Sequence, residues 1–345
     1  MSRELCTGNQ ALALGAVKAG VDIASACPDT YLTEILEIIT LQARAYGLDD
    51  FHIEWSSHER AALEVGKGAS LAGLRTLVTM KLSGLYAACD LLMSLPYLGV
   101  IGGLVLVVAD DPGSVSLQTG QDIRQFASFA KIPLLDPSTP EEAFRMIQCA
   151  FDVSERYSIP ILLRLSTQVC HGLAQIDTAF GHAAHSFKGQ LELPQRLQLI
   201  ATEFYDNSYN LFTNTHATAP PHQGIVAGGT SYEYLLDALK SLNHLGSLRL
   251  LKLGAPFPFP KQLALTFLEG IGELLVFEDL EPVFEREFLQ LAGRFHLKLK
   301  IFGKPSEHIS QTKENSVAEI AQLIETLLGL DSFARPIDVT PAFTV

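Results

Sequence analysis

The chain has 345 residues, enough for two domains on the usual scale of roughly 100–200 residues each. Hydrophobic residues make up 48% of it and charged residues 18%, which supplies buried cores and argues against long disorder. The formal net charge is −13 and the 25 Lys and Arg are scattered, which argues against nucleic acid as a partner, because phosphate binding needs concentrated positive charge.

Along the chain, Asn9–Ala19 reads as a helix ending near Gly20, and Val21–Ala26 as a buried strand stopping at Pro28. Thr30–Tyr46 reads as a helix, Phe51–Trp55 as a strand and Ser57–Ala72 as a helix rich in Ala and Gly. Arg75–Met80, Gly103–Ala109 and Ile159–Arg164 are strand-like runs, with helices near Leu85–Leu95, Gln121–Phe129 and Glu141–Ser154. A polar stretch from about Ala174 to His222, broken at Ala219-Pro220-Pro221, reads as a linker carrying one helix around Leu193–Glu203. Strands at Ile225–Ala227, Leu248–Leu253, Glu273–Glu278 and Lys298–Ile301 then alternate with helices at Tyr232–Leu242, Lys261–Phe267 and Val283–Phe295, and a last helix spans Ser316–Leu328. Such alternation implies an α/β fold with parallel sheets covered on both faces. The expected organisation is a first domain over 1–175, a linker over 176–222, a second domain over 223–332 and a tail over 333–345.

The N-terminus lacks a basic stretch followed by an apolar core, so no signal peptide is expected. The most apolar run, Leu95–Ala109, is interrupted by Pro96, Gly99, Gly102 and Gly103 and falls short of the roughly 20 residues of a membrane span. Cys6, Cys27, Cys89, Cys149 and Cys170 form no C-x-x-C pair, so local spacing builds neither a zinc site nor an iron–sulfur cluster. An odd, dispersed set suits a reducing compartment, and the expected location is the cytoplasm.

In open parallel sheets ligands gather beyond the carboxyl ends of the strands. The segments to watch are therefore Cys27–Thr30, Ser56–Glu59, Lys81–Gly84, Asp110–Ser116, Gly228–Ser231, Gly254–Pro256 and Glu278–Glu281. Ser56-x-x-Glu59 has the spacing of a capping box, and a first-turn carboxylate also suits the helix dipole. Gly66, Gly68, Ala69 and Gly73 share one helix, where each glycine costs up to about 1 kcal/mol relative to alanine. They imply close packing against the helix backbone. Lys81–Gly84 and Asp110–Gly113 could be simple turns, and Gly228-Gly229-Thr230-Ser231 would suit an anion on backbone N–H groups. It lacks both the dinucleotide fingerprint and a P-loop lysine.

Several stretches together resemble a known family: Ile53–Ser70 (IEWSSHERAALEVGKGAS), Leu77–Gly84 (LVTMKLSG), Gly102–Gly113 (GGLVLVVADDPG), Ser116–Arg124 (SLQTGQDIR), Phe129–Ser138 (FAKIPLLDPS), Leu251–Pro256 (LKLGAP) and Val276–Glu285 (VFEDLEPVFE). The chain resembles the N-terminal half of the alpha subunit of indolepyruvate:ferredoxin oxidoreductase, within the 2-oxoacid:ferredoxin oxidoreductases. The resemblance is collinear over Leu5–Gly172 and Gly224–Ile301. It implies a pyrimidine-binding domain followed by a transketolase-C-terminal-like domain, with thiamine diphosphate as cofactor. On the same resemblance Glu59 is the carboxyl group that hydrogen-bonds the aminopyrimidine and promotes deprotonation of the thiazolium. Thr30 and Lys81 fall on the substrate side, and Ser83 and Gly84 join Glu59 on the cofactor side.

The chain departs from the family at Ala26–Thr33, where a Tyr-Pro-Gly-Thr-Pro-Ser-Ser-like run is expected, and at Leu82, where a histidine is common. It has no Gly-Asp-Gly-like motif with a following Asn to hold Mg²⁺ and diphosphate, and no cysteine-rich ferredoxin motif. The implied activity is oxidative decarboxylation of a 2-oxoacid within a heteromer. The implied partners are a subunit holding the cofactor's diphosphate, a ferredoxin-type iron–sulfur protein or domain, and a beta- or gamma-type subunit, in an assembly that is at least dimeric. Two other roles fit the same residues: a subunit of a non-oxidative 2-oxoacid decarboxylase, or an assembly or regulatory paralogue without catalysis.

Overall fold

The structure is a computed structural model that describes residues 3–28, 31–45, 51–110, 121–177, 191–205, 209–213, 222–242, 248–306, 308–309 and 315–328. In the first half the elements run β1 (Arg3–Thr7), α1 (Gly8–Lys18), β2 (Ile23–Ala26), α2 (Thr33–Ala45), β3 (His52–Trp55), α3 (Glu59–Leu71) and β4 (Thr76–Lys81). There follow α4 (Leu82–Ala87), α5 (Cys89–Leu98), β5 (Leu104–Ala109), α6 (Ile123–Ala130), β6 (Leu134–Leu135), α7 (Pro140–Tyr157), β7 (Ile161–Leu165), α8 (Thr167–His171) and β8 (Leu173–Asp177). The connecting helix α9 (Leu193–Tyr205) leads to β9 (Asn210–Thr213), β10 (Gln223–Ala227), α10 (Thr230–Ser241), β11 (Arg249–Leu253) and α11 (Lys261–Leu268). The chain continues through β12 (Glu273–Phe277), α12 (Val283–Phe295), β13 (Lys300–Phe302) and α13 (Val317–Leu328).

The first sheet is wholly parallel, in the order β3-β2-β4-β5-β7-β6. Its central strand β5, LVLVVA, is apolar throughout because helices cover both faces. The period of two still operates: Val105, Val107 and Ala109 enter the core under α1 and α7, while Leu104, Leu106 and Val108 enter the one under α3, α5 and α6. The second sheet runs β13-β12-β10-β11-β9. The antiparallel strand β9 forms its edge, from within the stretch that reads as a linker in the sequence. Two further differences stand out. β1 and β8 pair antiparallel as a separate ribbon, and the expected helix over Leu85–Leu95 is two helices meeting at Ala88.

The domains meet through buried charge. Arg164 in β7 donates to Asp110 at 2.9 Å and to Asp136 at 3.1 Å, with Asp279 at 4.0 Å. Arg124 in α6 donates to Asp122 at 2.6 Å, to Glu278 at 3.1 Å and to the carbonyls of Asp279 and Glu281. Glu278 also accepts from the backbone N–H of Phe284 and Glu285. All seven of these side chains are buried, so five carboxyl groups share two guanidinium groups. Lys304 lies close by, its ammonium donating to the Leu280 carbonyl and its pKa lowered, chiefly by burial.

Burial raises the pKa of three of these acids, Asp110, Asp136 and Glu278, and is the leading influence on each. It pushes Glu278 up to about 7 and Asp110 up to about 6, against the pull of Arg124 and Arg164 respectively. A carboxyl group with a raised folded-state pKa binds its proton more tightly folded than unfolded, so its stabilisation is present below the ordinary carboxyl range and fades as pH climbs to 6 and 7. Each such proton contributes a slope of at most about 1.4 kcal/mol per pH unit. The unfolding midpoint should therefore fall between about pH 5 and pH 7.5, and Glu278→Gln should flatten that fall; denaturant titrations across the range measure both.

Candidate functional site

The order of the first sheet has a reversal. From β2 the chain steps outward to β3, then crosses back over β2 to β4. A crevice opens at such a switch point, outside the carboxyl ends of the two strands that flank it. Here those strands are β2 and β4. β2 delivers Cys27 to the crevice, β4 delivers Lys81 with the start of α4, and the crossover from β3 delivers Glu59 as the first residue of α3.

The cap of α3 is His58, not Ser56. His58 Nδ1 accepts from the Arg60 backbone N–H at 3.1 Å. Ser56 instead lies 3.5 Å from Ser25 across the β2–β3 pair, hydroxyl to hydroxyl. The capping box expected at Ser56 and Glu59 is therefore not formed; a box does form at the start of α1, between Thr7 and Gln10. Without that local duty, the half-buried Glu59 reaches across to α4. Its carboxyl lies against Gly84, so closely that a methyl group on Gly84 would stand 2.8 Å from both Glu59 Cδ and Oε1.

Cys27 reports the charges around it. Burial raises its thiol pKa first, the Glu59 carboxylate raises it further, and the Lys81 ammonium pulls it back. Glu59, Lys81 and Cys27 thus share one electrostatic neighbourhood. Lys81 is half-buried and caps α4 with its backbone, while Ser83 is exposed on the first turn of that helix. The segment Lys81–Gly84, which could have been a turn, is the joint between β4 and α4. Thr30 and residues 111–120 lie outside the described residues.

Two other sequence features resolve differently from their expectations. Leu82 is 1% exposed and points into the core beneath α3 and α5, so its side chain is packing rather than lining. The Gly228–Ser231 turn does meet anions, but the protein supplies them. Gly229 has φ +53° and so little clearance that a Cβ would stand 2.9 Å from Asp136 Oδ2, and Ser231 donates to Asp279 at 2.7 Å. Of the α3 glycines, Gly66 packs on Val78 of β4, whereas Gly68 has open space beside it. A cavity of about 1090 Å³ lies between α9 and the 257–262 segment and is lined by none of Glu59, Lys81, Ser83 or Gly84.

Residues 14–202 match the family model described as pyruvate flavodoxin/ferredoxin oxidoreductase, thiamine diphosphate-binding. The chain belongs to that family. It is 33% identical to the indolepyruvate oxidoreductase subunit IorA of Methanothermobacter thermautotrophicus over 348 residues, covering 96% of this chain and 56% of that protein. To the same-named subunit of Pyrococcus horikoshii it is 31% identical, covering 95% of this chain and 53% of the other. The chain thus spans about half the length of the curated relatives it matches. In fold it is similar to a 2-oxoglutarate:ferredoxin oxidoreductase from Magnetococcus marinus, with a TM-score of 0.72 at 14% identity over 94% of this chain and 65% of that one.

The Glu59–Gly84 contact holds a carboxyl group at the switch point, where the resemblance places the group that would meet the aminopyrimidine. Among the described residues no cluster of His, Cys, Asp and Glu is placed to hold a metal ion, and no helix is long and apolar enough to cross a membrane.

The placement of Leu82 gives a direct check. Leu82→His, which restores the residue common in the family, would put an imidazole into an apolar core and should destabilise the chain by roughly 1–3 kcal/mol. The denaturation midpoint of the variant measures this.

Proposed function

We propose that the chain supplies the pyrimidine side of the active site of a thiamine-diphosphate-dependent 2-oxoacid oxidoreductase. The observation that carries this is the position of Glu59: at the switch point of the first sheet, released from capping and seated against Gly84. When bound, thiamine diphosphate would supply the electron sink that lets a 2-oxoacid lose CO₂. Glu59 would hold a proton against the aminopyrimidine ring nitrogen. Ser83 and Gly84 would line the same side of the ring, Gly84 admitting close approach because it has no side chain. Lys81 would draw a substrate carboxylate toward the crevice by its charge, and Thr30 is the other residue proposed there by resemblance.

The remaining parts fall to partners. The sequence has no motif for Mg²⁺ and diphosphate, so we assign these to a second polypeptide, or to a further region of a longer protein like the IorA relatives. Oxidative decarboxylation releases two electrons per substrate. Five free, dispersed cysteines cannot build a cluster to receive them, which assigns the iron–sulfur acceptor to a partner as well. An aromatic 2-oxoacid is the substrate class proposed, from the names of the relatives.

The test is reconstitution. Co-purification from the native host should bring down a subunit carrying thiamine diphosphate and iron–sulfur clusters, and the complex should reduce a one-electron dye when given aryl-2-oxoacids. In that complex Glu59→Gln should lower kcat by about two or more orders of magnitude. Turnover of that variant near the wild-type rate would refute the assignment of Glu59. Aldehyde formation without dye reduction would point instead to a non-oxidative decarboxylase.

A further inference from the structure

We infer that Gly84 is a positioning residue: it leaves empty the volume into which the Glu59 carboxyl group must fit, and so fixes where that carboxyl sits. The inference rests on Glu59 being the activating carboxyl group, and it assigns to Gly84 a task beyond lining the cofactor.

The backbone does not ask for glycine at this position. Gly84 is the third residue of α4, and it is not among the glycines with positive φ. At such a site alanine is the better helix former. The reason for glycine must then come from a neighbour, and the atoms a Cβ would meet first are Cγ, Cδ and Oε1 of Glu59. The nature of those atoms decides what a substitution would do. At Gly102 a Cβ would strike the rigid Leu74 backbone, and at Gly66 the packed Val78 side chain. At Gly84 it would strike the side chain of half-buried Glu59, Cγ nearest and the carboxyl atoms Cδ and Oε1 next. A rotation about the Glu59 Cα–Cβ bond carries Cγ and the carboxyl group away together while both helices stay in place. An added methyl group therefore acts on the Glu59 carboxyl and spares the fold, which separates activity from stability.

Cys27 offers a probe that needs no bound cofactor, because its thiol feels the Glu59 charge. The experiment measures site-resolved alkylation of Cys27 against pH, by peptide mapping of the intact chain, for wild type, Gly84→Ala, Glu59→Gln and the double variant, with Gly84→Ser as a second substitution. Moving a charged Glu59 should displace the Cys27 profile when Gly84 is substituted. The same substitution should displace it far less in the Glu59→Gln background, where the moved group is neutral. Unfolding midpoints of the Gly84 variants should match or exceed wild type. In the reconstituted complex, kcat should fall about tenfold or more in Gly84→Ala while KM for the 2-oxoacid changes little. Equal displacement in both backgrounds, or none in either, overturns the positioning role. If Glu59→Gln leaves turnover intact yet the alkylation profiles are coupled, Gly84 still positions Glu59 and the catalytic reading of Glu59 is what fails.

Discussion

Two guanidinium groups set the geometry of this molecule. Arg124 and Arg164 lie fully enclosed where the carboxyl ends of the two sheets face each other, and each needs partners from both domains. A buried charge that loses its partner costs several kcal/mol, so the arrangement tolerates little sliding. Apolar contact alone would be less exacting. The main hydrophobic clusters lie largely within one domain or the other, and a hydrophobic seam can shift by a fraction of a side chain without leaving a charge unpaired. The carboxyl surplus adds a condition, because five acids around two arginines favour a proton on Glu278 or Asp110.

This junction also determines which end of the molecule is open. Each sheet has a reversal in strand order, and each reversal opens a crevice. The crevice of the second sheet, near Gly229 and Asp279, is filled by Asp136 and Arg164 of the first domain. Among the described residues, the crevice of the first sheet, between β2 and β4, carries Glu59, Lys81 and Cys27. The second domain therefore spends its own switch-point geometry on docking, and on the proposed function the first keeps its geometry for chemistry.

The sequence revealed what depends on local pattern. Apolar strands such as β5 and the alternation of strand with helix were legible because two-sided burial leaves continuous apolar runs. The edge strand β9 and the ribbon of β1 with β8 were not, since their burial alternates or fades and their pairing is with distant segments. Glu59 shows the same limit at a site. Its local signal, Ser56-x-x-Glu59, pointed to a cap; the contact of Ser56 with Ser25 and the better-placed His58 overrode it. Only the collinear resemblance marked Glu59 for chemistry. Gly84 looked like part of a turn, and its relation to Glu59 exists only once α3 and α4 are packed. Leu82 read as a lost polar group in a loop, although the strand-to-helix joint turns it inward.

The exposure of the site bears on what the chain can do unaided. Glu59 and Lys81 are half-buried and Ser83 is exposed, so water reaches the groups that would hold the cofactor and the substrate. Charges and hydrogen-bond donors act strongly on a reacting centre only where water is excluded, because the same interaction weakens severalfold in a high dielectric. The fold thus supplies position: a carboxyl seated on a glycine, with an ammonium and a half-buried thiol in the same electrostatic neighbourhood. It does not supply a dry surrounding. On the proposed function that second contribution comes from whatever closes over the crevice, and the surface able to hold the diphosphate is also the surface able to exclude water. One docking event would then complete both the binding site and its electrostatics.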